Sequence, residues 1–193
     1  IGGIGAMKNF EYFSPQNVKE AYTLLSQHLE EAKIISGGQS LLILLKQRLL
    51  NPSYLIDIKG ISDLDYIRYD ERDGLRIGAL TTHRTLETSP VVRERFFMLA
   101  EMERKLASIQ IRNWGTLGGN LCHGDPASDL APPLIALKAE VKLAGPAGER
   151  VVKLEEFFKD YYETVLKSDE ILTEIHIPVV PQGGGIYVKT SIR

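Results

Sequence analysis

The chain is poor in the features that mark several classes of protein. Of its 193 residues only Cys122 is a cysteine, so the chain cannot form an internal disulfide, and one thiol alone does not hold an iron–sulfur cluster or a structural zinc. The longest apolar runs, such as Leu41 to Leu45, are far shorter than the roughly 20 residues of a membrane-spanning helix. No apolar stretch follows Met7 as it would in a secretory signal. These absences predict a protein of the reducing cytoplasm without a membrane span.

Neither sign of charge dominates the sequence. The formal net charge is −2, and the Lys and Arg residues are spread along the chain, which argues against nucleic acid as a partner. Hydrophobic residues make up 44% and charged residues 25%, as in an ordinary globular protein. Any anion-binding site must therefore be local. Residues 1–6, ahead of Met7, are interpreted as a cloning remnant outside the fold.

Residues 7–59 predict a small βαβ lobe. Asn17 and Glu20 have the spacing of a helix capping box, and Gly37-Gly38 separates a strand from a helix. Such a pattern in a short segment favours a right-handed crossover between strands. The predicted elements are a strand over 7–13, a helix opened by Pro15, a strand over 33–36, a helix over 40–49 with its leucines buried, and a strand over 54–58.

Residues 60–193 predict a larger mixed lobe with antiparallel strands, so the fold class is α+β. Polar turns at 70–74 and 145–148 each join two strand-like runs into a hairpin. The strand 171–177 alternates, with Ile171, Thr173, Ile175 and Ile177 expected on one face. Helices are predicted over 91–107, with a solvated charged face at 93–105, and over 129–138. The stretch 109–123 has no helical period, and a last strand is predicted over 186–189.

A first glycine loop runs from Ile34 to Leu41, between a strand and a helix. Unpaired backbone N–H groups at such a helix start can bind a pyrophosphate, glycines let the phosphate approach, and Ser40 can cap the helix or donate to the anion. The loop lacks the Gly-Lys-Ser/Thr of a Walker loop. On its own, it is more typical of a structural turn whose glycines only satisfy backbone geometry.

A second glycine loop runs from Gln110 to Asn120. Its eleven residues include three Gly, two Asn and one Thr, which predicts many free amides. Asp129, nine residues beyond Asn120, can accept hydrogen bonds from a ribose or a ring N–H. A tight structural crossover is the alternative interpretation. Together, the two loops favour a dinucleotide, with its pyrophosphate at one loop and a flavin side at the other, without distinguishing FAD from another nucleotide.

The other chemistry-bearing side chains predict neither a catalytic nor a metal site. The histidines, His28, His83, His123 and His176, have no zinc-motif spacing and are expected to be structural or exposed. Cys122 beside His123 is disfavoured as a nucleophile pair, because adjacent side chains point apart.

Four segments carry a family resemblance: AKIISGGQSLLILLKQRLLNPSYLIDI, QIRNWGTLGGNLCHGDPASDLAPPLIAL, GALTTH and DEILTEIHIP. They resemble the FAD-binding flavoprotein (medium) subunits of the molybdenum hydroxylases, the carbon monoxide dehydrogenase and xanthine dehydrogenase family. The resemblance runs from about Met7 to the end of the chain. It implies a two-lobed α+β FAD-binding domain of the PCMH/CO-dehydrogenase flavoprotein type, with FAD extended between the lobes.

The resemblance also implies which positions contact FAD. The implied residues are Ile34, Ile35, Ser36, Gly37, Gly38, Gln39, Ser40 and Leu41 at the pyrophosphate; Thr116, Leu117, Gly118, Gly119 and Asn120 in the second stretch; and Asp129, Leu172, Lys189 and the apolar Leu106. The amides of 116–120 and Lys189 are expected to stabilise negative charge on the reduced ring.

In function, the resemblance implies an oxidoreductase subunit. Electrons would come from a molybdopterin-binding large subunit through 2Fe–2S clusters of a small subunit to this FAD and then to an external acceptor, in a dimer of heterotrimers. A stand-alone FAD-dependent oxidoreductase of related fold and a non-enzymatic nucleotide-binding or assembly module are the alternatives.

The sequence departs from the family pattern in two places. Trp114 stands where the family loop more often has a small or basic residue. Family members also continue for about another domain after the Lys189 strand, whereas this chain stops at Arg193. The family's C-terminal domain is therefore expected to be absent, which puts retention of FAD in question.

Overall fold

The structure, a computed structural model, describes residues 9–179 and 185–190. Its first part is a three-stranded parallel sheet in the order β1-β3-β2, formed by β1 (Glu11–Phe13), β2 (Ala32–Ile35) and β3 (Tyr54–Asp57). Helix α1 (Val18–His28) connects β1 to β2, and α2 (Leu41–Lys46) connects β2 to β3. The predicted βαβ arrangement is confirmed, although residues 7 and 8 of the predicted first strand lie outside the described residues.

The predicted cap of α1 is confirmed in part. The Asn17 Oδ1 accepts from the Glu20 amide at 2.9 Å, which satisfies one unpaired donor of the first turn. The Glu20 carboxylate accepts from the Gln16 amide at 2.8 Å, one residue before the position that a capping box requires.

Helix α2 is shorter and more exposed than predicted. It ends at Lys46, and Arg48 then takes a left-handed φ of 58°. Leu45 is buried, but Leu42 and Ile43 are 39% and 53% exposed. The prediction that the leucine run is buried is wrong, because only one side of this six-residue helix faces the core.

The larger sheet has five antiparallel strands in the order β4-β5-β10-β6-β7. These are β4 (Ile67–Asp70), β5 (Gly74–Gly78), β6 (Glu140–Gly145), β7 (Gly148–Lys153) and β10 (Ile171–Ile177). Both predicted hairpins, β4–β5 and β6–β7, are confirmed. A short hairpin of β8 (Phe158–Asp160) and β9 (Glu163–Thr164) stands apart.

The predicted alternation of β10 is wrong at Leu172. The register shifts between Leu172 and Glu174, and a bulge of this kind moves a side chain to the other face. Leu172 therefore packs in the same core as Ile175 and Ile177, whereas Ile171 packs in the core of the smaller sheet.

Helices fill the connections of the larger sheet. They are α3 (His83–Thr88), α4 (Pro90–Arg95), α5 (Phe97–Lys105), α6 (Ile109–Trp114), α7 (Leu117–His123), α8 (Ala131–Ala136) and α9 (Leu154–Phe157). The helix predicted over 91–107 breaks at Phe96, and the one over 129–138 is confirmed with shorter bounds. The stretch 109–123, predicted without helical period, forms α6 and α7. Residues 186–189, predicted as a strand, have no regular secondary structure.

Two apolar cores hold these layers. The larger lies between one face of the five-stranded sheet and the helices, with Leu99, Met102, Leu117 and Phe157 fully buried. The smaller joins α1 and the three-stranded sheet to Ile61, Leu64, Leu80 and Ile171. Since strand β10 contributes to both cores, the two sheets are packed together, and the two glycine loops meet beside their junction.

Candidate functional site

A cavity of about 460 Å³ opens where the two glycine loops meet, a volume within the range of small-molecule sites. The structure brings most of the sequence-predicted residues to it: Ile34, Ile35, Ser36, Gly37, Gly38, Gln39, Ser40, Leu41, Leu106, Thr116, Gly118, Gly119, Asn120, Asp129 and Leu172. Leu117 and Lys189 are not among its lining residues; Leu117 is fully buried in the larger core.

The first loop offers backbone donors to this cavity. Within the described part of the chain, the amides of Gly38, Gln39, Ser40 and Leu41 donate to no protein acceptor. Gly38 has a φ of +71°, a conformation that glycine adopts without strain. The side chain of Ser40 makes no cap bond to α2, so of its two possible roles only donation to an anion remains a prediction. Four consecutive unpaired N–H groups are what a phosphate would require here.

The two loops are in direct contact, backbone against backbone. A Cβ on Gly37 would lie 2.2 Å from the carbonyl oxygen of Trp114 and 2.8 Å from the Cα of Gly115. Beside this contact, Ser36 Oγ and Thr116 Oγ1 share a hydrogen bond of 2.9 Å. The glycine at 37 therefore does more than shape its own turn, because it lets the first loop rest on the second.

The second loop consists of the short helices α6 and α7 joined at Gly115 and Thr116, and few of its backbone amides are free. The amides of Leu117 and Gly118 donate to Thr81 and Ala79 carbonyls at 3.0 and 2.9 Å, respectively. Two more amides are used inside α7: Gly119 donates to Thr116 Oγ1 at 3.2 Å, and Asn120 to the Thr116 carbonyl at 3.0 Å.

The expectation that the amides of this stretch stabilise charge on a ligand is therefore wrong for positions 117–120. The stretch instead presents the Asn120 side chain and two side-chain-free glycines to the cavity, because its amides already donate to the Thr81 and Ala79 carbonyls and to Thr116.

Asp129, a lining residue of the cavity, is hydrogen-bonded to a tyrosine and a lysine. Its carboxylate accepts from Tyr187 Oη at 2.5 Å and from Lys189 Nζ at 2.6 Å. Burial, followed by the bond to Asp129, raises the pKa of Tyr187. Lys189 is thus placed next to a lining residue through Asp129. Tyr187 was not predicted as a site residue, since a tyrosine in a predicted strand carries no signal for a hydrogen bond to Asp129.

A buried ionisable network supports the cavity wall. The guanidinium of Arg112 donates to the carbonyls of Leu106 and Ala107 at 2.7 and 3.1 Å and to Glu87 at 3.0 Å. These bonds hold a turn in which Ala107 has a φ of 42°. Burial opposes ionisation of Glu87, yet its bonds to Arg84 and Arg112 hold its pKa below the usual range.

His83 and Glu103 form the innermost part of this network. The Nδ1 of His83 lies 3.0 Å from both carboxylate oxygens of Glu103, and the two residues are 2% and 0% exposed. Burial raises the pKa of the Glu103 carboxyl, and the hydrogen bond with His83 partly offsets this. The prediction that the charged side of the 93–105 helix is solvated is wrong at Glu103. The only sequence signal for this site was the GALTTH segment, which ends at His83.

Cys122 lines the same cavity without being activated. Burial raises the pKa of its thiol to about 12, so the thiolate that a nucleophile requires is scarce at neutral pH.

In the described ranges, no three His, Cys, Asp or Glu side chains are grouped to hold a metal ion. No helix among the described residues combines the length and the apolarity needed to cross a membrane.

Comparison with known proteins gives concordant matches. The family described as "FAD binding domain in molybdopterin dehydrogenase" matches residues 8–180. The carbon monoxide dehydrogenase medium chain of Hydrogenophaga pseudoflava is 42% identical over 176 residues, covering 91% of this chain and 61% of the relative. Caffeine dehydrogenase subunit beta of Pseudomonas sp. (strain CBB1) is 40% identical over 174 residues, covering 90% and 59%.

Among solved structures, the carbon monoxide dehydrogenase of Hydrogenophaga pseudoflava that lacks the Mo-pyranopterin moiety superposes with a TM-score of 0.93 at 39% identity. That match covers 98% of this chain and 66% of the other. The chain thus spans about three fifths of the length of the curated relatives that it matches.

Proposed function

This chain belongs to the family of FAD-binding domains in molybdopterin dehydrogenases, and from that premise we propose that it is the FAD-binding electron-transfer part of a molybdenum-containing dehydrogenase. It would receive electrons from iron–sulfur clusters and pass them to an external acceptor. The molybdopterin-binding large subunit and the iron–sulfur small subunit are proposed as partners, in a dimer of heterotrimers. The cytoplasmic location stays a prediction.

The observation that carries this proposal is the row of unpaired amides at Gly38, Gln39, Ser40 and Leu41 on the cavity wall. Amides of a loop entering a helix bind phosphate oxygens without any lysine, which fits the diphosphate of FAD. Strand β2 and helix α2 position these amides, and the contact of Gly37 with the second loop keeps them at the cavity.

The remaining proposed contacts divide by chemistry. Asn120 and Asp129 offer polar groups for ribityl or ribose hydroxyls, whereas Leu106 and Leu172 offer apolar surface for a ring. Bound FAD would supply the redox chemistry, and the protein supplies position and electrostatics. Lys189, which donates to Asp129 at 2.6 Å, is proposed to offset negative charge on a bound cofactor. Leu117 is proposed only as packing behind the second loop.

The division into lobes at residues 7–59 and 60–193 stays a proposal. In its favour, each sheet lies wholly within one of the two segments. The cores are less separate, because Ile61 and Leu64 pack with α1 and β3. A cofactor lying between the lobes would therefore rest against one continuous surface.

A titration with three ligands tests the proposed site. FAD, FMN and ADP are added separately to the purified chain, and binding is followed by flavin fluorescence or by calorimetry. A site that spans both loops should bind FAD at least about tenfold more tightly than either half, since each half loses part of the contacts. Equal affinity for ADP and FAD would favour the nucleotide-binding module. No binding by a folded chain, checked by circular dichroism, would show that these residues alone do not hold FAD, and a chain extended to the relatives' length that also fails to bind would reject the site.

A further inference from the structure

His83 is held so that one edge of its ring faces the cavity. Its backbone amide donates to the Gly115 carbonyl at 3.0 Å, and its Nδ1 is taken by Glu103. The other ring nitrogen, Nε2, has no hydrogen-bond partner among the described residues. No side-chain nitrogen or oxygen of the described chain is both sealed from solvent and unpaired. Nε2 therefore opens to the cavity that His83 lines.

The open edge of the ring lies at the junction of the two loops. A Cβ on Gly115 would lie 3.2 Å from His83 Cδ2, the carbon bonded to Nε2, and 3.6 Å from Cγ of Gln39. Gln39 is one of the residues with an unpaired amide on the first loop. His83 and Gln39 therefore both lie beside Gly115, at the junction of the two loops that line the cavity.

The surroundings leave the ring little freedom. Glu103 on α5 bonds to Nδ1, and Glu87 on α3 is engaged by Arg112 of α6 and by Arg84. Because a carboxylate that holds one ring nitrogen fixes the orientation and tautomer of the other, Glu103 sets what Nε2 presents. The ring is therefore held in one orientation, with Nε2 left for a partner on the cavity side.

We propose that His83 is a cofactor-binding residue in the diphosphate–ribityl part of FAD, with Glu103 as a positioning residue for its ring. Its Nε2 accepts from a ribityl hydroxyl when Nδ1 carries the single ring proton, and donates to a diphosphate oxygen when both ring nitrogens are protonated. The inference rests on the proposed function. Neither residue is among the contacts that the resemblance implies. Sequence periodicity did not reveal the pair, because the two residues lie on α3 and α5, 20 positions apart.

The test compares His83→Phe with a matched control, His28→Phe. His28 stacks on Tyr54 and lies beside Phe13, and it does not line the cavity, so its replacement by another ring should leave the FAD dissociation constant within about twofold. For His83→Phe, we expect the constant to rise roughly 10- to 100-fold, the effect of a lost hydrogen bond to a charged group. Parallel titrations with ADP and FMN show whether the partner oxygen belongs to the diphosphate or to the ribityl chain.

Because His83→Phe leaves the buried Glu103 unpaired and can unfold the chain, the double variant His83→Phe/Glu103→Leu provides a second route. It should fold, as judged by circular dichroism and thermal unfolding, and still bind FAD weakly. Glu103→Gln, which retains an acceptor for Nδ1, should weaken binding less than His83→Phe.

The inference can also be tested without a substitution, by NMR of the wild-type chain. Only four histidines are present, so a sample labelled with ¹⁵N-histidine gives a simple spectrum, in which the resonance of His83 Nε2 should shift when FAD is added. No shift, or a folded double variant with unchanged FAD affinity, overturns the inference while the proposed function stands. If neither the wild-type chain nor a chain extended to the relatives' length binds FAD, both are overturned.

Discussion

The contact between the two glycine loops can be tested by adding one methyl group, with Gly37→Ala. The new Cβ would lie 2.2 Å from the Trp114 carbonyl oxygen, about 1.3 Å inside the roughly 3.5 Å at which nonbonded heavy atoms pack without strain. Since the obstructing atoms belong to the backbone, no side-chain rotation relieves the overlap, and the loops must separate.

The cost can be worked from the bonds that such a separation breaks. Overpacking of this kind costs about 1–3 kcal/mol, and loss of the Ser36–Thr116 hydrogen bond adds roughly 1 kcal/mol. We therefore expect the free energy of unfolding to fall by about 2–4 kcal/mol, which for a domain of this size lowers Tm by roughly 5–15 °C. The FAD dissociation constant should rise at least about tenfold, because the amides of Gly38–Leu41 move with the loop.

The assay is a calorimetric thermal scan combined with an FAD fluorescence titration. Gly60→Ala serves as the control: its Cβ would meet nothing nearer than Ser14 Oγ at 3.9 Å, and its φ lies outside the left-handed region. It should unfold no earlier than the wild type. If Gly37→Ala matched the wild type in both measurements, the backbone contact between the loops would not be what keeps the amides of Gly38–Leu41 at the cavity.

Three further predictions concern single side chains. Thr116→Val removes both the α7 cap bond and the bond to Ser36 and should cost about 1–2 kcal/mol in urea unfolding; Thr116→Ser should restore most of this, and equal losses would contradict the role of the hydroxyl. The Arg150 hydrogen bond lowers the pKa of Glu170, so this pair stabilises the fold fully above the unfolded carboxyl pKa of about 4.3 and less as the pH falls through the lower folded value. Glu170→Gln should therefore destabilise at neutral pH and lose less stability than the wild type on acidification, and parallel pH–stability curves would refute the assignment. Cys122, half-buried and with its pKa raised to about 12, should react with Ellman's reagent at pH 8 far more slowly in the native chain than in urea, and a native rate like that of a free thiol would show that the fold does not suppress its thiolate.

Local patterns in the sequence predicted the parts of the fold that depend on neighbours in the chain. The Asn17 cap, both long hairpins and the βαβ order follow from turn residues and periodicity over a few positions. The same is true of the two glycine loops as separate loops. Each loop contains glycines, which allow the backbone conformations that a turn needs.

What could not be predicted depends on contacts between distant segments. Helix α7 has no helical period because Gly118 lies against Ala79, where a Cβ would be 2.7 Å from the Ala79 Cβ; packing decides the residue there, and it overrides helix propensity. The bulge at Leu172 and the burial of Glu103 likewise arise only after β10 and α5 have found their neighbours. The resemblance supplied the positions of the site, but not the pairing of Asp129 with Tyr187 or of His83 with Glu103.

The position of β10 has a consequence for how the chain is made. This strand, the last of the described chain, lies between β5 and β6 at the centre of the larger sheet. During synthesis, the hairpins β4–β5 and β6–β7 leave the ribosome well before it, each with one edge open where β10 will later insert. At elongation rates of about 5–20 residues per second, β5 waits several seconds for its partner. A ribosome stalled before Ile171 would present two unpaired strand edges, and such edges invite pairing with other nascent chains.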